Sequence, residues 1–298
     1  MPDEGSPMMV TKRAAPGGFA ATQALWMGLF LAGAVGLAFY VSSYHLFQLT
    51  MVVVYAVAVL GMTILTGYNG QISLGQGAFF AIGSYTAAIL MANYDWPYWA
   101  TIPVAAVASA LVGFLVGFPA LRLGGLYLAL TTFALAVAVP QILKVNALSG
   151  LTGGVQGLTI DKPEAPFGLP ISGDQWIYLF SLGIGCVVFL LAWNLTRGRT
   201  GRAMMAVREQ PVAAEAMGVG LATIKTRTFA VSAMITGIGG AFIEFIPNIA
   251  NDISKAAPGA IYGAILIGFM FVMPRGVGGA LATAIRRLFG RKRTPAAE

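Results

Sequence analysis

The chain is poor in the residues from which catalysts and disulfide scaffolds are built. Its 298 residues hold one cysteine, Cys186, and one histidine, His45. Cys186 lies in an apolar run with no second thiol to pair, which excludes a disulfide framework and a thiolate metal site. Charge is scarce too: charged residues make up 10% against 57% hydrophobic, and the mean hydropathy is +0.78. A soluble domain carries about 25% charged residues on its surface, so this composition points to lipid instead. No Gly-Lys pair occurs anywhere, so no phosphate-cradling loop for a nucleotide is available. The opening MPDEGSPMMVTKRAAPGG is too long and too mixed in charge for a signal-peptide n-region, and no small-residue cleavage site closes the first apolar run. The first span is therefore expected to stay.

What the sequence does have is eight apolar runs, at 19–41, 46–66, 72–92, 98–118, 126–143, 175–195, 228–247 and 256–273. Each is near the roughly 20 residues a helix needs to cross about 30 Å of hydrocarbon. Alternating barrel strands of about 10 residues are not what these runs show. The expected fold is all-α: a polytopic membrane helix bundle of about eight transmembrane helices, forming one transmembrane domain over 1–298.

The formal charge of +7 is placed, not scattered. Alternating the eight runs puts 15 of the 18 basic residues on the side of the amino terminus and only Lys144, Lys162 and Lys255 on the other. That asymmetry assigns both termini to the cytoplasm. It makes 1–18 a cytoplasmic tail, 146–174 an external loop, 196–227 a cytoplasmic loop and 276–298 a basic cytoplasmic tail. The tail's RRLFGRKR is explained by orientation and lipid headgroups, with no need of nucleic acid.

One run opens strangely. GYNGQISLGQGAFFAIGSYTAAILMA (67–92) is apolar in its second half, yet begins with Asn69, Gln71, Ser73 and Gln76 strung between Gly67, Gly70, Gly75 and Gly77. Polar groups at membrane depth are costly unless they face protein or a water-filled path. Neutral amides and a hydroxyl beside bare backbone suit the passage of a zwitterion, which they hold without trapping. Small and amide residues also glue helices together. Both readings stand on these residues, with Asn69, Gly70, Gln71, Ser73, Gly75 and Gln76 as the candidate pathway.

The cytoplasmic loop holds a second signal, REQPVAAEAMGVG. Pro211 suits the first turn of a helix and Gly218 its left-handed close, which predicts a two-turn helix over 211–217. Such a helix is marginal alone and needs something to pack on. Its small surface of Ala213, Ala214 and Ala216 around Glu215 and Met217 is shaped to enter a groove on a soluble partner. Resting on lipid headgroups is the other reading, but Glu209 and Glu215 have no lipid partner there.

These two motifs, in this order, resemble the permease subunits of ABC importers for branched-chain amino acids. The resemblance runs from about residue 46 to 240 and includes LTGGVQGL (151–158) and MPRGV (273–277). It implies a multi-pass protein of the bacterial-type inner membrane, with no enzymatic activity of its own. ATP is used by a separate cytoplasmic ATPase; this chain binds no cofactor. A second related permease chain and an external substrate-binding protein complete the importer. The loop helix corresponds to the coupling helix, placing that contact on Arg208, Glu209, Ala213, Ala214, Glu215 and Gly218. The motifs do not separate branched-chain amino acids from urea, short amides or other amino acids. LSGLTGGVQG (148–157) echoes an ATPase signature but falls on the external side.

One departure from the family is visible. After 247, PNIANDISKAAPGAI runs almost directly into YGAILIGFMFVMPRGV, where such permeases carry another Gly-rich stretch with its own helices. Two other classes therefore stay open. A non-transporting scaffold is one. The other is an ion- or proton-coupled secondary transporter or channel, for which the sequence offers only Glu244 and an echo between GQGAF (75–79) and GIGGAF (237–242). Glu244 itself reads as a snorkelling or water-facing carboxylate near the external interface. Gly113 and Gly117, like Gly259 and Gly263, read as close helix packing, and Trp96, Tyr98 and Trp99 as an interfacial belt.

Overall fold

The computed structural model describes residues 17–121, 125–154, 157–158, 160 and 171–245. These residues belong to one compact unit that ends at Pro247. The long helices are α1 (Gly17–Tyr40), α2 (Ser43–Met62), α3 (Gln76–Tyr94), α4 (Tyr98–Ala120), α5 (Gly125–Leu143), α7 (Gly173–Arg197) and α10 (Leu221–Ile243). Three short ones, α6 (Ser149–Thr152), α8 (Arg199–Glu209) and α9 (Pro211–Ala216), lie in the connections. No strand occurs among the described residues, as the composition requires. Among the described residues, five segments are long and apolar enough to cross a membrane: Ser43–Tyr68, Tyr98–Pro119, Gly125–Leu143, Gly173–Arg197 and Leu221–Ile243. The predicted run at 256–273, with Gly259 and Gly263, lies outside the described residues, as do Lys162 and the basic tail.

Two predicted boundaries are corrected. The third run is not helical from 72: the helix begins at Gln76, and the residues before it form an irregular, internally bonded connection. The glycines and polar side chains that make this stretch look odd for a span keep 69–75 out of the helix. The seventh run begins earlier than 228, at Leu221. Lys225 and Arg227 shorten the apolar stretch but do not stop the backbone from coiling.

Local chemistry sets the other ends. Ser172 accepts from the Gln175 backbone N–H at 3.3 Å, while Gln175 Oε1 accepts from the Ser172 N–H at 3.0 Å. This reciprocal capping box starts α7. Asp95, at φ 51°, closes α3 in the left-handed region that Asp tolerates better than most residues.

The core is organised around α10, which packs against α2, α3 and α4. Its glycines face three neighbours in turn. A Cβ on Gly237 would collide with the Ser109 side chain of α4. One on Gly239 would stand 3.1 Å from the Val54 carbonyl of α2, and one on Gly240 would overlap the Phe80 carbonyl of α3. Gly113 and Gly117 of α4 face Ala233 and Phe229 of α10, which gives that pair its expected packing role. Phe79, Phe229 and Leu65 fill the space between these close approaches.

The two ends of the bundle are held by different contacts. At one end Arg208 of α8 meets the chain just after α2. At the other, Asn93 Nδ2 donates to the Leu151 carbonyl at 3.1 Å, Trp176 Nε1 donates to Tyr98 Oη at 2.9 Å, and Gln175 Nε2 donates to the Ala38 carbonyl at 3.1 Å. Tyr98 is thus packed among Phe180 and Phe245, while Trp96 and Trp99 stay exposed.

Candidate functional site

The polar stretch is built on an unusual helix end. After Met62, α2 widens into a π-helical segment, Thr63–Tyr68, and the Asn69 N–H reaches back to Ile64 O at 3.3 Å. Single-turn widenings of this kind concentrate at functional sites. Gly70 then takes φ +71°, a conformation an L side chain rarely adopts. The chain folds back so that Gln71 N–H donates to Leu65 O at 3.2 Å and Thr66 Oγ1 donates to Gln71 O at 3.1 Å.

The predicted pathway residues divide into two groups. Gln76 is a fastener: its Nε2 donates to Ser232 Oγ at 3.0 Å and its Oε1 accepts from Thr236 Oγ1 at 2.7 Å. Ser232 in turn donates to the Gly61 carbonyl at 2.8 Å, so one amide ties α3 to α10 and, through it, to α2. Ser73 and Gly75 are also committed. Gly75 N–H donates to Ser73 Oγ at 3.2 Å, Leu74 N–H donates to Thr132 Oγ1 of α5 at 3.0 Å, and a Cβ on Gly75 would stand 3.0 Å from Thr132.

Asn69 and Gln71 are different. Both are buried, and Asn69 Nδ2 donates to Gln71 Oε1 at 2.7 Å, but Asn69 Oδ1 finds no hydrogen-bond partner among the described residues. Each buried acceptor left unmet costs about 1–3 kcal/mol.

Ser232, Thr236 and Thr132 were not singled out from the sequence. The signal for the first two was present: Thr228, Ser232 and Thr236 recur every four residues and line one face of α10. Thr132 had no such periodic companion. Glu244, half-buried, reaches α3, where it accepts from Ser84 Oγ.

The second candidate region, α8 and α9, forms as the punctuation predicted. Pro211 stands at the first helical position and Gly218 takes φ +83°. Glu209, Ala213, Glu215 and Gly218 are exposed, as are Val212 (81%) and Met217 (85%). Ala214 is the correction: it is only 5% exposed and faces the protein, where α9 packs against α8 and α10. The side chains exposed here are Val212, Glu215 and Met217 instead. Arg208 is exposed as well, and its Nη1 donates to the carbonyl of Gly67.

A family model described as "Branched-chain amino acid transport system / permease component" matches residues 44–290. The chain is 34% identical over 242 residues to the high-affinity branched-chain amino acid transport system permease protein LivM of Escherichia coli, and equally to that of Salmonella typhimurium. Each match covers 73% of this chain and 56% of the relative, so the chain spans little more than half the length of these two proteins. It is also 23% identical over 227 residues to a probable branched-chain amino acid transport permease protein LivH of Methanocaldococcus jannaschii, covering 74% and 71% of the two chains. No solved structure matches.

Proposed function

Because the chain belongs to the branched-chain amino acid transport system permease component family, we propose that it is the membrane-spanning permease subunit of an ATP-driven importer for branched-chain or related hydrophobic amino acids. It performs no covalent chemistry. A separate ATPase docks on α9 from the cytoplasm, an external binding protein delivers substrate, and a second related permease chain completes the path across a bacterial-type inner membrane.

The observation that carries this reading is the shape of α8–α9. A six-residue helix is far below the length that is stable alone in water. This one is held from behind by buried Ala214 and presents Val212, Glu215 and Met217 outward. Two bare apolar side chains on so short a helix, at the end of the bundle that carries Arg197, Arg199, Arg202 and Arg208, suit seating in a protein groove. Closure of the ATPases would then reorient the spans, in the alternating-access manner of domain closure. Of the polar stretch, Asn69 and Gln71 are the pair that lines the path, because Gln76 is engaged in holding helices together and the Ser73 hydroxyl in a local bond to the Gly75 N–H.

The deciding experiment is purification with the ATPase, followed by uptake in cells lacking their own permease. Co-elution and uptake of a branched-chain amino acid are expected, and Gln71→Leu should slow uptake while leaving co-elution intact. A chain that takes up substrate without an ATPase would be a secondary transporter. One that binds the ATPase and moves nothing would be a scaffold.

A further inference from the structure

Four observations meet at one side chain. Arg208 sits in the last turn of α8, and its Nη1–H donates to the carbonyl oxygen of Gly67. Gly70 lies flat against the stem of the same side chain: a Cβ there would stand 2.8 Å from Arg208 Cγ and 3.3 Å from Arg208 Cβ. The carbonyl it holds belongs to the π-helical segment Thr63–Tyr68. Directly beyond, Asn69 Oδ1 is buried with no partner among the described residues. An unmet buried acceptor raises the energy of this arrangement relative to any in which it finds a donor. Bonds within the segment and the packing of Ile64 and Leu65 hold it on one side, and Arg208 grips it from α8 on another.

We propose that Arg208 is a strut which carries displacement of α8 and α9 into the π-helical end of α2, so that seating of the ATPase on α9 repositions Asn69 and Gln71. This rests on the docking reading of α9 above. Arginine suits the role. Its planar guanidinium is always charged and donates in fixed directions, and its acceptor is a backbone carbonyl, so the grip is on the main chain itself. The close approach at Gly70 adds a second point of contact along the stem, which resists rotation about the first. Arg208 is thus a positioning residue, acting through the 67–71 backbone and not through contact with substrate or with the ATPase.

The test uses the assembled importer with the variants Arg208→Ala, Arg208→Lys, Gly70→Ala and, as a control on docking, Val212→Asp. Three quantities are read: ATPase retained per permease, substrate taken up per ATP hydrolysed, and hydrogen–deuterium exchange over 64–76 with and without the ATPase. In the unaltered protein, ATPase binding should change exchange in that segment. Arg208→Ala should retain the ATPase, lower uptake per ATP about tenfold, the upper range of coupling effects for residues that touch neither ligand, and abolish the exchange response. Arg208→Lys should restore part of both, since it keeps the charge, the stem against Gly70 and a donor aimed at the same carbonyl.

Unchanged uptake per ATP, or an exchange response that persists in Arg208→Ala, overturns the strut. Loss of the ATPase from Arg208→Ala overturns it as well, by making Arg208 a docking contact. If Arg208→Ala does not assemble, Gly70→Ala decides: it crowds the stem and leaves the guanidinium, and an unaltered exchange response there overturns the proposal. Val212→Asp keeps the two ideas separable. If it fails to loosen the ATPase, the docking reading falls on its own evidence, whatever the Arg208 variants do.

Discussion

Helices α5 and α10 are both long and apolar enough to cross a membrane, but 67% of the α10 window lies inside the protein against 17% of that of α5. Between these two, burial runs opposite to apolarity, because α10 is the less apolar helix. In water the reverse would hold. In lipid there is no hydrophobic drive to bring one apolar helix against another, so close approach and hydrogen bonding select the inner helix. Gly237, Gly239, Gly240, Ser232 and Thr236 supply these on α10, whereas Leu126, Tyr127, Leu130 and Phe133 of α5 point outward.

The contrast breaks most visibly at Gly240. Its missing side chain is what lets α10 touch the backbone of α3 at Phe80, so Gly240→Leu must separate two main chains, which no rotamer change can relieve. The expected cost is at the upper end of overpacking, about 3 kcal/mol or more, seen as loss of monodisperse protein after extraction. A smaller effect belongs to the exposed short helix. Met217→Glu should weaken ATPase co-purification by about tenfold, near 1.4 kcal/mol, and leave the thermal stability of the permease unchanged because Met217 touches little of its own chain.

Gln76→Leu sharpens the comparison from within. It removes both bonds from α3 to Ser232 and Thr236 while keeping the volume. Interhelical bonds of this kind are worth about 0.6–2 kcal/mol, so a modest fall in the thermal midpoint is expected, with insertion retained. At the other extreme, Leu130→Ala on the outer face of α5 should stay within about 0.5 kcal/mol of the unaltered protein. A large loss there, in the isolated chain, would mean that the inner and outer helices have been misassigned.

Much of this architecture could be read from the residues. The apolar runs locate the long helices, because backbone in lipid has few ways to satisfy itself. Pro211 and Gly218 locate α9 for equally local reasons. The direction of side chains on α9 was not legible, because a two-turn helix has too few positions to define a face. Ala214 therefore read as outward and proved inward. The division of the polar stretch was hidden for a different reason: the partners of Gln76 lie 156 and 160 residues away, on a helix whose depth and rotation no local pattern fixes. The role of Arg208 was concealed likewise, its acceptor being a backbone carbonyl 141 residues earlier, invisible in any sequence motif.

The anchorage of α1 has a consequence in time. This helix packs against α7, and its polar fastenings are Gln175 to the Ala38 carbonyl and Tyr178 to the Ala34 carbonyl, 137 and 144 residues apart in the chain. During synthesis at about 5–20 residues per second, the first helix must therefore wait roughly 7–30 seconds for its partner to be made. Until then its Ala34 and Ala38 carbonyls lack those donors, and the newborn helix is a guest of the insertion machinery or of the lipid around it. A ribosome paused just before codon 173 would leave α1 free to wander. Only once the whole of α7 has left the ribosome is it moored.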